Sequence, residues 1–212
     1  MSLIFDWIFS QYQDTPTHIV VLELVSAFFA LLSVIYSKRG NILVFPTGII
    51  ATGIAVYILW IYGLLGDMLI NAYYFVMSIV GWFAWTRKVD ETHFIPVTLM
   101  TPREKRWSIL LFMATIVFVA IIYSAMDRFN TWTAYTDILT TAFFFVGMWL
   151  MAKKKLENWI YLIIGDIITV PLYLYKGLIF SAILFFILTI IAIFGYFSWK
   201  KDLNKSPRTL LR

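Results

Sequence analysis

The chain has 212 residues, of which 61% are hydrophobic, 19% aromatic and 14% charged, with a net charge of +5 and no cysteine. A mean hydropathy of +0.83 excludes one soluble core, because a chain of this size still exposes much of its area and that surface then requires lipid as its solvent. The absence of cysteine excludes disulfide frameworks, thiolate nucleophiles and Cys-based metal sites.

In chain order, residues 1–16 are apolar but too short and too polar at their flanks to span a bilayer, and they read as an interfacial helix. No basic segment precedes the first long apolar run and no small-residue cleavage pattern follows it, so that run is expected to stay in the mature protein. Apolar runs of spanning length fall at 18–36, 42–65, 67–86, 107–125, 134–152, 159–178 and 179–199. All seven are expected to be helices, because an open strand in hydrocarbon leaves its backbone unpaired. The sixth and seventh divide around Tyr175-Lys176-Gly177, which aligns with Ile61-Tyr62-Gly63.

That alignment is one part of a longer repeat. Gly81-Trp82-Phe83-Ala84-Trp85 returns 114 positions later as Gly195-Tyr196-Phe197-Ser198-Trp199, and the same shift places Glu23 on Asp137 and Phe29 on Phe143. Asn41, Gly48 and Thr52 match Asn158, Gly165 and Thr169 at a shift of 117, which predicts a three-residue insertion in the second copy. The expected architecture is all-α and integral to the membrane, a 3+1+3 arrangement of two parallel three-helix repeats. Its parts are a first repeat at 18–86, a cytoplasmic linker at 87–106 holding Pro96 and Pro102, a connecting helix at 107–125, a second repeat at 134–199 and a tail at 200–212. The connecting helix has a geometrical cause: three helices end on the side opposite their start, and one more crossing returns the chain.

If the seven spans alternate, 15 of the 17 basic residues fall on one side, leaving only Arg128 and Lys176 opposite. The positive-inside rule makes that side cytoplasmic, with the amino terminus outside and the carboxyl terminus inside. The basic clusters then read as topology signals and contacts to anionic membrane lipid, and the positive charge needs no nucleic acid.

Polar groups inside spans are costly and require a partner or a purpose. Asp166 lies near the middle of the sixth span, with Thr169 and Tyr173 at i+3 and i+7 on the same face. This stripe suits a ribose or a cationic ring, or else a helix–helix hydrogen bond. Asn71 and Tyr74 share a face of the third span and are expected to point into the bundle. Glu23 and Asp137 stand near the outer ends of repeat-related spans, either binding at the outer mouth or snorkelling, with Lys176 within reach as an ion-pair partner. Trp82, Trp85, Trp159 and Trp199 lie at cytoplasmic ends, where an anchoring belt is expected; Trp159 and Trp82 are the two singled out to stack on a flat cationic ring. The repeat-related amides Asn41 and Asn158 complete the candidate binding set. Pro46 and Pro171, inside the second helix of each copy, read as hinges or static kinks.

The stretches Lys38-Arg39-Gly40-Asn41, Asp67-Met68-Leu69-Ile70-Asn71 and Gly81-Trp82-Phe83-Ala84-Trp85 resemble the first repeat of the PnuC-type vitamin transporters. Glu157-Asn158-Trp159, Asp166 through Gly177 and Gly195-Tyr196-Phe197-Ser198-Trp199 match the second, so the resemblance covers residues 18–202. It implies a SWEET-like fold, a homotrimer in the bacterial inner membrane, and facilitated diffusion of a riboside-like vitamin precursor, typically nicotinamide riboside. It also implies a functional link to a cytosolic kinase that traps the vitamin by phosphorylation. Many nicotinamide riboside carriers have a second Trp three residues after the one in Glu-Asn-Trp, where this chain has Leu162; thiamine therefore stands as the alternative substrate.

No Gly-x-x-x-x-Gly-Lys-Ser/Thr motif occurs, so the chain is not expected to hydrolyse a nucleotide itself. Another class consistent with the sequence is the substrate-binding subunit of an ATP-driven importer. Enzymatic readings fare poorly: the only histidines, His18 and His93, lie too far apart to form a site, and neither a cofactor nor a metal is expected.

Overall fold

The computed structural model describes residues 16–62, 65–87, 95–127, 129, 132–176 and 179–205, without the side chains of 65–67, 179–181 and 205. The expected interfacial segment, apart from Pro16, lies outside the described residues, as do Gly63, Gly177, linker residues 88–94 and the tail beyond 205. Seven helices account for most of the rest: α1 (Thr17–Lys38), α2 (Val44–Ile61), α3 (Leu65–Thr86), α4 (Pro102–Ala125), α5 (Trp132–Ala152), α6 (Asn158–Tyr175) and α7 (Ile179–Lys205). Each is long and apolar enough to cross a membrane. Among the described residues the only β-type pairing is an isolated bridge between Thr98 and Lys155.

The boundaries differ from expectation where local chemistry intervenes. Helix α4 begins at Pro102, five residues early, because Thr101 and Glu104 form a capping box and proline occupies the first helical turn. The linker is correspondingly shorter. Helix α7 runs on through Lys200, Lys201 and Asp202, where no Gly or Pro interrupts it. Just before α2, the Asn41 side-chain oxygen accepts from the N–H of Leu43, the residue that precedes the helix, at 2.9 Å.

Helix α1 packs on α2 and α2 on α3; likewise α5 packs on α6 and α6 on α7. Two further contacts, α3 with α5 and α1 with α7, close these six helices into a ring, while α4 lies outside against α5 with a narrow contact to α3. The two cross-contacts exchange when the first triplet is swapped for the second.

The backbone overturns the expected three-residue insertion. Helices α2 and α6 each have 18 residues and begin 114 positions apart. Gly40 and Lys154, also 114 apart, both adopt a left-handed backbone, with φ of 62° and 55°. The bonds around them repeat as well: Gly40 N–H donates to Ser37 O at 2.9 Å and Lys154 N–H to Met151 O at 2.8 Å, while Asn41 N–H donates to Tyr36 O and Lys155 N–H to Leu150 O, both at 3.0 Å. One shift of 114 therefore holds throughout. Phe45 corresponds to Trp159, Thr52 to Asp166 and Tyr62 to Lys176, whereas the Asn41 and Asn158 pairing was a coincidence of residue type.

The prolines are corrected too. Pro46 is the third residue of α2, in a first turn whose N–H groups have no intrahelical partner, so it costs no bond and forms no hinge there. Pro171 lies inside α6, near its far end. The two are not repeat-related.

Candidate functional site

The six-helix ring encloses a cavity of about 420 Å³, within the roughly 300–1,000 Å³ range of small-molecule sites. Its closed end is an aromatic floor. Phe45 stands edge-on to Trp85 with ring centroids 4.9 Å apart, and its repeat mate Trp159 stands edge-on to Trp199 at 5.5 Å. Trp85 and Trp199 meet each other at 5.8 Å. Each of these two indoles also reaches across to the other triplet: Trp85 Nε1 donates to Met151 O at 3.2 Å, and Trp199 Nε1 donates to Ser37 O at 2.9 Å. Met151 is the repeat equivalent of Ser37, so the two bonds are one interaction made twice.

These contacts bring the carboxyl ends of α1, α3, α5 and α7 together at the floor, so α1 runs parallel to α5 and α3 to α7. Gly81 and Gly195 make the close packing possible. A Cβ on Gly81 would lie 2.1 Å from the Phe45 ring, and one on Gly195 would lie 2.6 Å from Trp159. Beneath the rings the linker is fastened by Glu157, whose carboxylate accepts from the Met100 N–H at 2.9 and 3.0 Å, and Val97 joins the same apolar cluster. Among the described residues three buried side-chain atoms have no hydrogen-bond partner, Ser37 Oγ, Asn158 Oδ1 and Trp159 Nε1, and all three lie at this end.

The walls hold the polar groups. Asp166, Thr169 and Tyr173 of α6 line the cavity together with Asn71 and Tyr74 of α3. Asp166 is the ninth of eighteen residues in α6, about 12 Å along its axis, and it is 5% exposed. No hydrogen bond or ion pair to the described residues is made by its carboxylate. The Thr169 hydroxyl donates to Gly165 O within its own helix at 2.8 Å, as Thr52 does to Gly48 O at 2.7 Å. No Lys or Arg is among the described residues lining the cavity, and none of the described residues form a group of three His, Asp or Glu able to hold a metal ion.

Asp137 lines the opposite end, the mouth, where its carboxylate pairs with Lys176. Its repeat mate Glu23 is half-buried and does not reach the cavity. Trp159 does, and it is fully buried, not an interfacial anchor. Trp82 points the other way, 42% exposed on the outer face of α3, and Trp85 takes the inward position instead. Asn41 is exposed in the turn before α2, and Asn158 is buried outside the cavity with its amide donating to Lys155 O at 2.6 Å. Neither Asn borders the cavity in this conformation.

Several lining residues carried no sequence signal. Ser33 and Ser78 converge on Gly48, where an added Cβ would lie 3.3 and 3.0 Å from their hydroxyls, and Tyr123 brings α4 to the mouth. With the 114-residue shift, Ser33, Asn71, Tyr74 and Ser78 correspond to Gly147, Phe185, Leu188 and Ala192. At these four positions the first triplet is polar where the second is apolar, while the second triplet supplies Asp166, Thr169 and Tyr173 from α6.

Residues 20–201 match the family described as nicotinamide mononucleotide transporter. The nicotinamide riboside transporter PnuC of Escherichia coli K12 is 23% identical over 163 residues, which cover 64% of this chain and 66% of that protein, just under two thirds of its length. The riboflavin/roseoflavin transporter RibM of Streptomyces davaonensis is 21% identical over 196 residues, covering 92% of this chain and 91% of that one. The crystal structure of the vitamin B3 transporter PnuC has the same fold, with a TM-score of 0.66 at 19% identity over 93% of this chain and 86% of that one. With seven membrane-length helices and a family match over most of its length, this chain is a multi-pass membrane protein that belongs to the nicotinamide mononucleotide transporter family.

Proposed function

We propose that the chain mediates facilitated uptake of nicotinamide riboside, with its amino terminus outside and its carboxyl terminus in the cytoplasm. The observation that carries this reading is the Asp166 carboxylate halfway along α6, with no hydrogen bond or ion pair to the described residues, beside Thr169, Tyr173, Asn71 and Tyr74. A buried anion without a partner is costly. A cationic pyridinium offsets that cost, while hydroxyls and an amide suit the ribose. The family match and the relatives named for nicotinamide riboside and vitamin B3 support the same substrate class.

In this reading the architecture is two parallel three-helix repeats joined by α4, and the repeats rock against each other around the cavity. The pairing of Trp85 with Met151 and Trp199 with Ser37 supports it, since a two-fold exchange of parallel units produces both bonds at one end. The aromatic floor is the inner barrier. Net uptake follows the gradient and is made irreversible by cytosolic phosphorylation. The protein acts as a homotrimer in the inner membrane and needs no catalytic residue of its own.

Thiamine, also a cation, is the second reading. It is favoured by Leu162, which lines the cavity against Gly147 where a second Trp would add a stacking surface. Purified protein in liposomes, without ATP or any partner, tests both readings with labelled nicotinamide riboside, thiamine and riboflavin. Uptake of the riboside alone supports the first reading, and uptake of thiamine alone replaces the substrate while keeping the mechanism. Binding without uptake would instead indicate the recognition subunit of an ATP-driven importer.

A further inference from the structure

We infer that Lys176 is a tethered counter-ion, occupying a cation site at the cavity mouth and yielding it to a positively charged substrate, so that Asp137, Tyr173 and Lys176 together select for charge. The inference rests on the proposed transport of a small vitamin precursor. Lys176 Nζ sits 2.5 Å from Asp137 Oδ2 and 5.9 Å from the centre of the Tyr173 ring. Both of those partners line the cavity, and Lys176 does not. The ammonium thus holds a carboxylate and a ring face, the pair of features that binds an organic cation.

The repeat shows that the fold does not need this ion pair. The positions equivalent to Asp137 and Lys176 are Glu23 and Tyr62; Tyr62 closes α2 as Lys176 closes α6. Glu23 makes no ion pair with the described residues, yet α1 packs on α2 as α5 packs on α6. The pair is also partly solvated, with side-chain exposures of 26% for Lys176 and 19% for Asp137, so it exchanges readily. Once displaced, Lys176 remains at the carboxyl end of α6, where the helix dipole favours a cation. The freed ammonium then stands behind the entering cation and repels it toward Asp166. A neutral solute releases nothing and gains nothing at this step.

Liposome uptake of nicotinamide riboside and of its uncharged dihydro form, by wild type and by K176Q, tests the exchange; if thiamine is the cargo, thiamine and uncharged thiochrome take their places. Removal of the competing ammonium is expected to lower the half-saturating concentration of the cation about 2–5-fold and to leave that of the neutral form unchanged. K176R should keep wild-type selectivity, and both variants should melt near wild type. Equal changes for charged and neutral forms, or weaker cation uptake by K176Q, would overturn the inference while leaving the transport reading intact. Failure of the wild type to carry either cation would overturn both.

Discussion

The two ends of the cavity are built from helix triplets matched at a shift of 114 residues, and they keep that correspondence to different degrees. At the floor, Phe45, Trp85 and Ser37 are answered by Trp159, Trp199 and Met151, with ring geometry and hydrogen bonds conserved across the shift. At the mouth, the positions equivalent to Asp137 and Lys176 hold Glu23 and Tyr62, and among the described residues the ion pair is made once. Sealing a bundle end is a packing task that both copies can share. The cavity walls and mouth depart from that symmetry, as the proposed recognition of an asymmetric solute requires.

The largest predicted effect strikes the floor. Gly81→Ala and Gly195→Ala drive a methyl into Phe45 and Trp159, and each should cost about 1–3 kcal/mol, read as a lower melting temperature in detergent. Gly53→Ala, with its nearest neighbour Phe75 at 3.4 Å, should melt no lower than wild type. Next, Trp85→Phe and Trp199→Phe each leave one buried carbonyl without its indole donor. Losses of about 1–2 kcal/mol are expected, equal within about 0.5 kcal/mol; clearly unequal losses would break the symmetry argument. A smaller effect sharpens the contrast at the walls. Tyr74→Leu installs on α3 the residue that α7 carries at the equivalent position, and it should weaken riboside binding about tenfold, or about 1.4 kcal/mol, with little change in melting. If affinity holds, the ribose does not face α3.

Much of the fold was legible because lipid imposes it: seven apolar runs of spanning length can be little else. The stripe of Asp166, Thr169 and Tyr173 was legible for a related reason, since helical spacing carries three polar residues to one face. The choice between Trp82 and Trp85 was not. In a membrane helix both the lipid side and the packed side are apolar, so periodicity does not mark the inward face, and three residues of rotation separate a lipid-facing ring from a floor ring. Ser33 and Ser78 were invisible because a hydroxyl that donates to a backbone carbonyl, as Ser78 does to Tyr74 O in its own helix and Ser33 does to Val44 O of α2, is unremarkable in a span. The repeat register went wrong for a third reason. Matching Asn41 to Asn158 weighed residue type over backbone, and the shared left-handed turn at Gly40 and Lys154, with helices α2 and α6 starting 114 residues apart, reveals the correct register.

The central claim, proposed above, is that the Asp166 carboxylate, which pairs with none of the described residues, recognises a cation. Asp166→Asn removes its charge and keeps its size, and uptake of nicotinamide riboside and of its uncharged dihydro form by the variant in liposomes is the direct measurement. Transport of the cation should fall at least about tenfold, a loss on the order of 1.4 kcal/mol, while the neutral form is carried as by wild type. Equal transport of the cation by variant and wild type would contradict the account.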